Sequence, residues 1–145
     1  GGKRVYSDII QKQVDNFRDQ KSSAVDAMDA IKRLAYEMKK ALLLGNLQEF
    51  ATLLHEGWEN KKKMAEGISN PTIDELYDAA RMAGAMGGKI TGAGGGGFMF
   101  FVCDPFKTHD VQSALRAQGA TLVDLSFTQD GVMAWNAPES KFIPS

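Results

Sequence analysis

The residues whose type and spacing suggest chemistry most directly are the glycines that follow Thr91. Five of the six residues from Gly92 to Gly97 are glycine, and an uninterrupted apolar run follows over residues 98–103. Because glycine costs backbone entropy, such a run is expected only where positive φ angles or a very close approach is needed. The apolar run predicts a strand buried on both faces. A glycine loop entering such a strand can bring backbone N–H groups up to an anion, usually phosphate.

Two common nucleotide motifs do not account for this loop. Gly92, Gly94 and Gly97 match the spacing of the dinucleotide fingerprint, but that fingerprint follows a strand and opens a helix. Here the pattern predicts a helix before the loop and a strand after it. A Gly-x-x-x-x-Gly-Lys-Ser/Thr run is absent from the sequence, which excludes the P-loop. A tightly turned connector without a ligand remains an alternative, because glycine clusters commonly mark turns.

Several cations are candidates for holding a phosphate. Lys61 starts a run of three lysines, which is either a solvated basic face or includes a phosphate ligand at Lys61. Trp58 shares the helical face of Lys61 and is expected in the core rather than stacked on a sugar. Arg4 suits bidentate binding of a carboxylate or phosphate, or is a surface arginine. Lys89 either contacts phosphate or only fixes the entry to the loop.

Composition narrows the class of protein. A chain of 145 residues fits one domain with a real core, and its net charge of −1 gives no reason to expect nucleic acid as a partner. No apolar run approaches the ~20 residues of a membrane span, so no membrane is expected. The single cysteine, Cys103, is expected to be a buried structural thiol in a reducing cytoplasm. His55 and His109 have no partner at metal-ligand spacing, so no metal site is predicted and both are expected at the surface.

Hydrophobic periodicity predicts a helical first part and a strand-rich second part. The first predicted helix is capped by Ser7 and has the apolar stripe Ile10, Val14 and Phe17, and the second runs from Ser22 or Ser23 to Gly45 with the stripe Val25, Met28, Ile31, Ala35, Met38 and Leu42. Two more helices are predicted, from Leu47 to Gly67 and from residues 70–72 to Gly84. The second part is predicted to contain a strand over 97–103, a helix over 108–118, a strand over 121–127, a hairpin turn at Asp130 and Gly131, and a strand over 132–135. Thr72 and Glu75 have capping-box spacing. This order predicts an α+β fold, an antiparallel sheet with helices packed on one face.

The loop and its flanks resemble a known family. The string Lys89-x-Thr91-Gly92-Ala93-Gly94-x-Gly96-Gly97 resembles the third conserved motif of the GHMP kinases, the galactokinase, homoserine, mevalonate and phosphomevalonate kinase superfamily. The segment from Gly2 to Ser7 resembles the Gly-x-x-Arg segment that opens the helical part of sugar-kinase members. Residues 58–61, 68–77 and 84–89 resemble the branch that phosphorylates D-glycero-D-manno-heptose 7-phosphate. The resemblance covers residues 1 to about 136.

The resemblance implies a ferredoxin-like C-terminal domain over residues 1–136, followed by a tail over residues 137–145. It implies ATP-dependent phosphoryl transfer to a hydroxyl of a sugar phosphate, with ATP and Mg²⁺ bound mainly by an N-terminal kinase domain. That domain, which is expected to carry the catalytic residues, is absent from the sequence, so this segment alone is expected to be inactive. The phosphate and substrate contacts that the resemblance implies are Thr91, Gly92, Ala93, Gly94, Gly95, Gly96, Lys61 and Arg4. A side chain at Gly94 or Gly95 is expected to block the approach of phosphate.

Two further expectations concern partners. The resemblance implies that one strand preceding Gly1 is lacking, so a sheet edge is either exposed or paired with a second copy, which leaves a homodimer open. The expected partners are otherwise the N-terminal kinase domain and the sugar phosphate. The alternative function is a free-standing, non-catalytic ferredoxin-like module that binds a small molecule or regulates. An upstream coding segment with the Ser-Ser-Ala phosphate loop would favour the kinase.

Overall fold

The computed structural model describes residues 2–128 and 130–134, and for residues 2–6 it describes the backbone alone. Within these ranges the chain forms five α-helices, one 3₁₀ turn and two strands, an α+β fold as predicted. In chain order the elements are α1 (Gly2–Arg18), α2 (Ser22–Leu43), α3 (Leu47–Lys62), α4 (Pro71–Met82), β1 (Ala85–Ile90), β2 (Met99–Cys103), the 3₁₀ turn (Pro105–Lys107) and α5 (Thr108–Ala117).

The two strands form an antiparallel hairpin. Ile90 lies opposite Met99 at the loop end and Ala85 lies opposite Cys103 at the far end, with one irregularity in the register near Gly87. Strand β1 was not predicted, because Gly87 and Gly88 lack the side chains that normally favour strands. The prediction that a helix leads directly into the glycine loop is therefore wrong: a strand lies between them.

The glycines of β1 are required by tertiary contacts. A Cβ atom on Gly87 would lie 1.9 Å from the carbonyl oxygen of Ala51 in α3. A Cβ atom on Gly88 would lie 2.4 Å from the ring of Phe101 on the neighbouring strand. The backbone of β1 consequently lies directly on the backbone of α3, and this contact fixes α3 relative to the loop that follows β1.

Most helix predictions are confirmed, with changes at several ends. α4 begins with Pro71 at its first position, and the side chain of Asn70 accepts a hydrogen bond from the Ile73 N–H at 3.0 Å. Asn70 is thus the cap, in place of the predicted Thr72–Glu75 box. α1 begins at Gly2, so Ser7 lies inside that helix. α3 ends at Lys62, five residues before the predicted Gly67, and a turn leads from it to α4.

The apolar stripes of α1 and α2 do not face inward as their periodicity suggested. Among the α1 side chains that the structure describes, Ile9 is buried, whereas Ile10 and Phe17 are more than half exposed. The stripe from Val25 to Leu42 in α2 is half-buried or exposed. The buried residues of α2 are Ala24, Ala27, Leu34 and Ala41. Small alanines let α2 approach its neighbours closely and leave the larger side chains at the rim of a groove.

Two clusters of buried side chains form the core. Trp58, Ile68, Tyr77 and Ile90 belong to the first, and Trp58 is 1% exposed, which confirms its predicted place in the core. The second contains Ala80, Ala85, Val111 and Leu115, and the half-buried Cys103 packs against it. Cys103 is thus half-buried and not buried as predicted. Its partial burial raises the pKa of the thiol, which agrees with a structural rather than a nucleophilic role.

The strands predicted after α5 are not formed within the described residues. Residues 121–128 and 130–134 carry no strand, and Val123, Leu125 and Phe127 are exposed. Alternating apolar residues make a stable strand only where a neighbouring strand supplies hydrogen bonds, and none of the described residues does so here. Trp135 and the tail over residues 137–145 lie outside the described residues, so the tail boundary stays a prediction.

Replacing Gly87 by Ala tests the contact between β1 and α3. The added methyl group would overlap the Ala51 carbonyl, so we expect the free energy of unfolding to fall by about 3 kcal/mol, the upper end for an overpacked core. Gly57→Ala is the matched control, since nothing lies within 4 Å of its Cβ position in α3. It should stabilise the helix by ~0.5–1 kcal/mol. Urea unfolding followed by circular dichroism measures both, and equal midpoints for Gly87→Ala and wild type would contradict the contact.

Candidate functional site

The glycine loop, residues 91–98, connects β1 to β2. At its base the backbone N–H and the hydroxyl of Thr91 both donate to the carbonyl oxygen of Phe98, at 2.9 and 3.1 Å. All five glycines of the loop have positive φ angles, between +77° and +150°. Because other residues adopt this region only at a cost, the loop can follow this path only with glycine, as its composition predicted.

One hydrogen bond anchors the loop to the core. The Gly95 N–H donates to the carbonyl oxygen of Ile68 at 2.8 Å. A Cβ atom on Gly94 would lie 2.7 Å from the same oxygen, so the side-chain-free Gly94 permits this close approach. Ile68 is fully buried in the turn between α3 and α4. Sequence reasoning did not identify Ile68, because it acts through a main-chain carbonyl; its only signal is an apolar residue in a turn between two helices.

Other amides of the loop remain available. Within the described residues, the N–H groups of Gly92, Ala93 and Gly96 donate no hydrogen bond. A cavity of about 480 Å³ lies between Gly96 and Gly97 on one side and the first turn of α4 on the other. The N-terminal turn of a helix carries the positive end of its dipole. Gly96, whose N–H is free, thus lines a cavity next to the positive end of the α4 dipole, whereas the Gly95 N–H is used by the fold.

Lys61 lies beside the start of the loop, in the last turn of α3. Its ammonium group donates a hydrogen bond to the carbonyl oxygen of Gly92. Burial lowers the pKa of Lys61, and the charge of Lys89 on β1 lowers it further. Lys61 and the loop, predicted separately from the sequence, are thus in contact. Arg4 lies in α1, but its side chain is outside the described part, so its predicted role stays a prediction.

The lysine pair, Lys61 and Lys89, has no carboxylate partner among the described residues. The nearby Lys62 instead lies 2.8 Å from Glu59 and also reaches Asp74 at 3.8 Å. Two neighbouring, partly desolvated cations without a counter-charge favour an anion as the missing partner.

A buried aromatic pair supports the strand that carries Lys89. The Tyr77 hydroxyl donates to the carbonyl oxygen of Gly88 at 3.3 Å and lies 2.8 Å from Nδ1 of His55, whose ring stacks on Tyr77. Burial raises the pKa of Tyr77 to about 12, so its hydroxyl stays protonated near neutral pH. His55 is therefore half-buried and not a surface histidine as predicted. His109 is exposed as predicted.

The described residues lack two features that would point to other classes of site. Those residues contain no group of three His, Cys, Asp or Glu side chains that could hold a metal ion. Among the helices found in them, none combines the length and the apolar character needed to cross a membrane.

Comparison with known families identifies the class of protein. Residues 38–121, more than half of the chain, match the family model described as GHMP kinases C terminal. The chain therefore belongs to the GHMP kinases, and it contains their C-terminal domain. The glycine loop and Lys61 both lie inside the matched range.

Several curated relatives of the chain are kinases. The chain is 39% identical over 132 residues to the D-glycero-alpha-D-manno-heptose 7-phosphate kinase of Campylobacter jejuni, which covers 91% of this chain and 38% of that protein. It is 44% identical over 68 residues to the mevalonate kinase of Pyrococcus furiosus, covering 47% of this chain and 20% of that enzyme. With the L-fucokinase/L-fucose-1-P guanylyltransferase of Bacteroides fragilis it shares 28% identity over 113 residues, 78% of this chain and 11% of that protein. The chain thus spans less than two fifths of the length of these relatives.

A solved structure has the same fold. The crystal structure of L. major mevalonate kinase in complex with R-mevalonate superposes with a TM-score of 0.69, over 77% of this chain and 34% of that enzyme. The sequence identity is 18%, so this likeness establishes the fold and nothing about the ligand. It confirms the predicted α+β GHMP architecture.

Replacing Gly94 by Ala tests how the loop is anchored. The added methyl group would crowd the Ile68 carbonyl, so we expect the Gly95 amide to exchange with solvent at least ~10-fold faster, as for the loss of a hydrogen bond contributing about 1 kcal/mol or more. Gly92→Ala is the control, because Gly92 also has positive φ but nothing within 4 Å of its Cβ position. Hydrogen exchange followed by NMR measures both. If the Gly95 amide of Gly94→Ala exchanged as slowly as in the wild type, the proposed anchor would be wrong.

Replacing Lys89 by Met tests the coupling within the lysine pair. Removing one positive charge should raise the pKa of Lys61 towards its ordinary value, because the repulsion that favours its neutral form disappears. Titration of the lysine side-chain signals by NMR measures the shift. The exposed Lys63→Met variant should leave the pKa of Lys61 where it is in the wild type. An unshifted Lys61 in Lys89→Met would show that the two charges do not interact.

Proposed function

We propose that this chain is the C-terminal domain of an ATP-dependent sugar kinase that transfers the γ-phosphoryl group to a hydroxyl of D-glycero-D-manno-heptose 7-phosphate. Support for the kinase class comes from the family match. Support for the acceptor comes from the 39% identity to a heptose 7-phosphate kinase over nearly the whole chain. The longer relatives are consistent with an N-terminal kinase domain as its partner, and we place the enzyme in the cytoplasm.

The observation that carries the proposal is the contact between Lys61 and the glycine loop. An acceptor that already bears a phosphate needs a cation, and Lys61 provides one at the edge of a loop with free backbone N–H groups. We assign the phosphate of the acceptor to Lys61, and phosphoryl oxygens near the reacting hydroxyl to the amides of Gly92, Ala93 and Gly96. In this assignment Thr91 and Phe98 close the loop, and Gly94 and Gly95 hold it on Ile68.

The described residues are suited to binding part of ATP but not to binding Mg²⁺. Backbone N–H groups and a lysine are suitable donors for phosphate oxygens, so part of the ATP phosphate chain fits this loop. Mg²⁺ requires carboxylate or other oxygen ligands, and the described residues contain no acidic cluster of that kind. In this proposal the binding of Mg²⁺ and most of ATP falls to the N-terminal domain, and no step at this site is assigned to the metal.

Phosphoryl transfer depends mainly on alignment and on neutralising developing charge. The anchored loop contributes alignment, because its positive φ glycines and the Ile68 contact fix the directions of the free N–H groups before the substrate arrives. Donors that are already oriented need no reorganisation during the reaction. Lys61 contributes positive charge at the acceptor end. Because Lys61 is half-buried in the last turn of α3, water competes less with the phosphate for its ammonium group.

Kinetics of the complete kinase with Lys61→Met test the assignment. The ratio of kcat/KM for heptose 7-phosphate to kcat/KM for the unphosphorylated heptose should fall by ~10- to 100-fold, since one hydrogen bond to a charged group contributes about 1.5–3 kcal/mol. Lys63→Met is the control because Lys63 is exposed and adjacent in the chain. If Lys61→Met slows both substrates equally, Lys61 does not bind the acceptor phosphate.

A substrate panel tests the activity itself. We expect the complete reading frame to phosphorylate heptose 7-phosphate in preference to galactose, fucose and mevalonate, and the 145-residue chain alone to transfer nothing. Release of ADP measures turnover in each case. Strong activity of the isolated chain, or a preference for mevalonate, would contradict the proposed division of labour or the proposed acceptor.

A further inference from the structure

A second concave surface, the α2–α3 groove, shares only Lys61 with the site of the proposed function. It has a volume of about 430 Å³ and runs between α2 and α3. Ile31, Ala35, Met38 and Leu42, which belong to the half-buried or exposed stripe of α2, line one side. Phe50 and Leu54 of α3 lie among the residues lining it. The volume falls within the range of about 300–1,000 Å³ typical of small-molecule sites.

The charges around this groove all have one sign. Lys39, Lys61 and Lys89 line it, and no aspartate or glutamate does. The lysine pair has no ion-pair partner in the described part of the chain, and only one N–H of the Lys61 ammonium group is used, by Gly92. An apolar surface that ends at uncompensated cations complements a molecule with an apolar body and a negative end.

We propose that the α2–α3 groove binds a small amphiphilic anion, such as a phosphate monoester with a hydrocarbon tail. Its apolar part lies against Met38, Leu42 and Phe50, and its anionic group lies between Lys61 and Lys89. The repulsion that lowers the pKa of Lys61 is relieved when an anion binds. A heptose carries hydroxyl groups around its ring and does not complement the apolar wall, so this ligand differs chemically from the acceptor and competes with it for Lys61.

Binding of n-octyl phosphate to the 145-residue chain tests the proposal without relying on kinase activity. Isothermal titration calorimetry, below the critical micelle concentration, compares it with inorganic phosphate and with n-octanol. We expect octyl phosphate to bind at least ~10-fold more tightly than either part alone, with NMR shifts at Met38 and Lys61. Equal affinity for octyl phosphate and inorganic phosphate, or for octyl phosphate and octanol, overturns the proposal.

Variants identify the ends of the site. Lys61→Met and Lys89→Met should each weaken octyl phosphate at least ~10-fold, whereas Lys63→Met should not. Ala35 is exposed on α2, so Ala35→Glu adds a repelling charge without opening the core, and Ala35→Gln controls for its size. We expect Glu to weaken binding and Gln to have little effect. Equal affinity of all these variants for octyl phosphate overturns the assignment. A chain that does not bind octyl phosphate, but forms a dimer that Ala35→Glu disrupts, also overturns it, because the groove would then be an interface between two copies.

Discussion

The position of the glycine loop on the core depends above all on one backbone contact, the hydrogen bond from Gly95 to the carbonyl of Ile68. An eight-residue loop with five glycines has a large conformational entropy to lose, and without an anchor it would sample many shapes. Ile68 is fully buried and belongs to the turn that leads into the Asn70 cap of α4. Because the same turn follows the helix that carries Lys61, this contact and the hydrogen bond from Lys61 to Gly92 together set the loop relative to α3 and to the first turn of α4.

The helical part of the fold was largely predictable, because it depends on local signals. Gly45, Gly84 and Gly119 all have positive φ angles close to helix ends, and glycine is the residue that such positions favour. β1 was missed for the opposite reason, since Gly87 is there to admit the Ala51 carbonyl of α3. Gly87 and Ala51 are 36 residues apart in the sequence, so no local sequence pattern can indicate this contact. The alternating apolar residues after α5 led to a wrong strand prediction, because a strand forms only where it can pair with a neighbouring strand.

The site was predictable to a similar extent. The glycine loop and Lys61 could be identified from residue type, since positive φ favours glycine and a negatively charged ligand requires a cationic side chain. Ile68 and the hydroxyl of Tyr77 could not, because one acts through its main chain and the other through a partner, Gly88, with no side chain. The buried face of α2 could not be predicted either. Alanines make its close contacts with the neighbouring elements, whereas the larger apolar residues that dominate the periodicity line a groove at the surface.

The lysine pair is best understood as a compromise between stability and binding. A carboxylate beside Lys61 would reduce its repulsion with Lys89 and stabilise the fold slightly, because partly exposed ion pairs contribute little. The same carboxylate would repel any anion that approaches the loop or the groove. The neighbouring Lys62, which has Glu59 and Asp74 as partners, shows that acids are available on these helices. Their placement on Lys62 leaves Lys61 and Lys89 as uncompensated positive charges at the α2–α3 groove, where an incoming anion can complete the pairing.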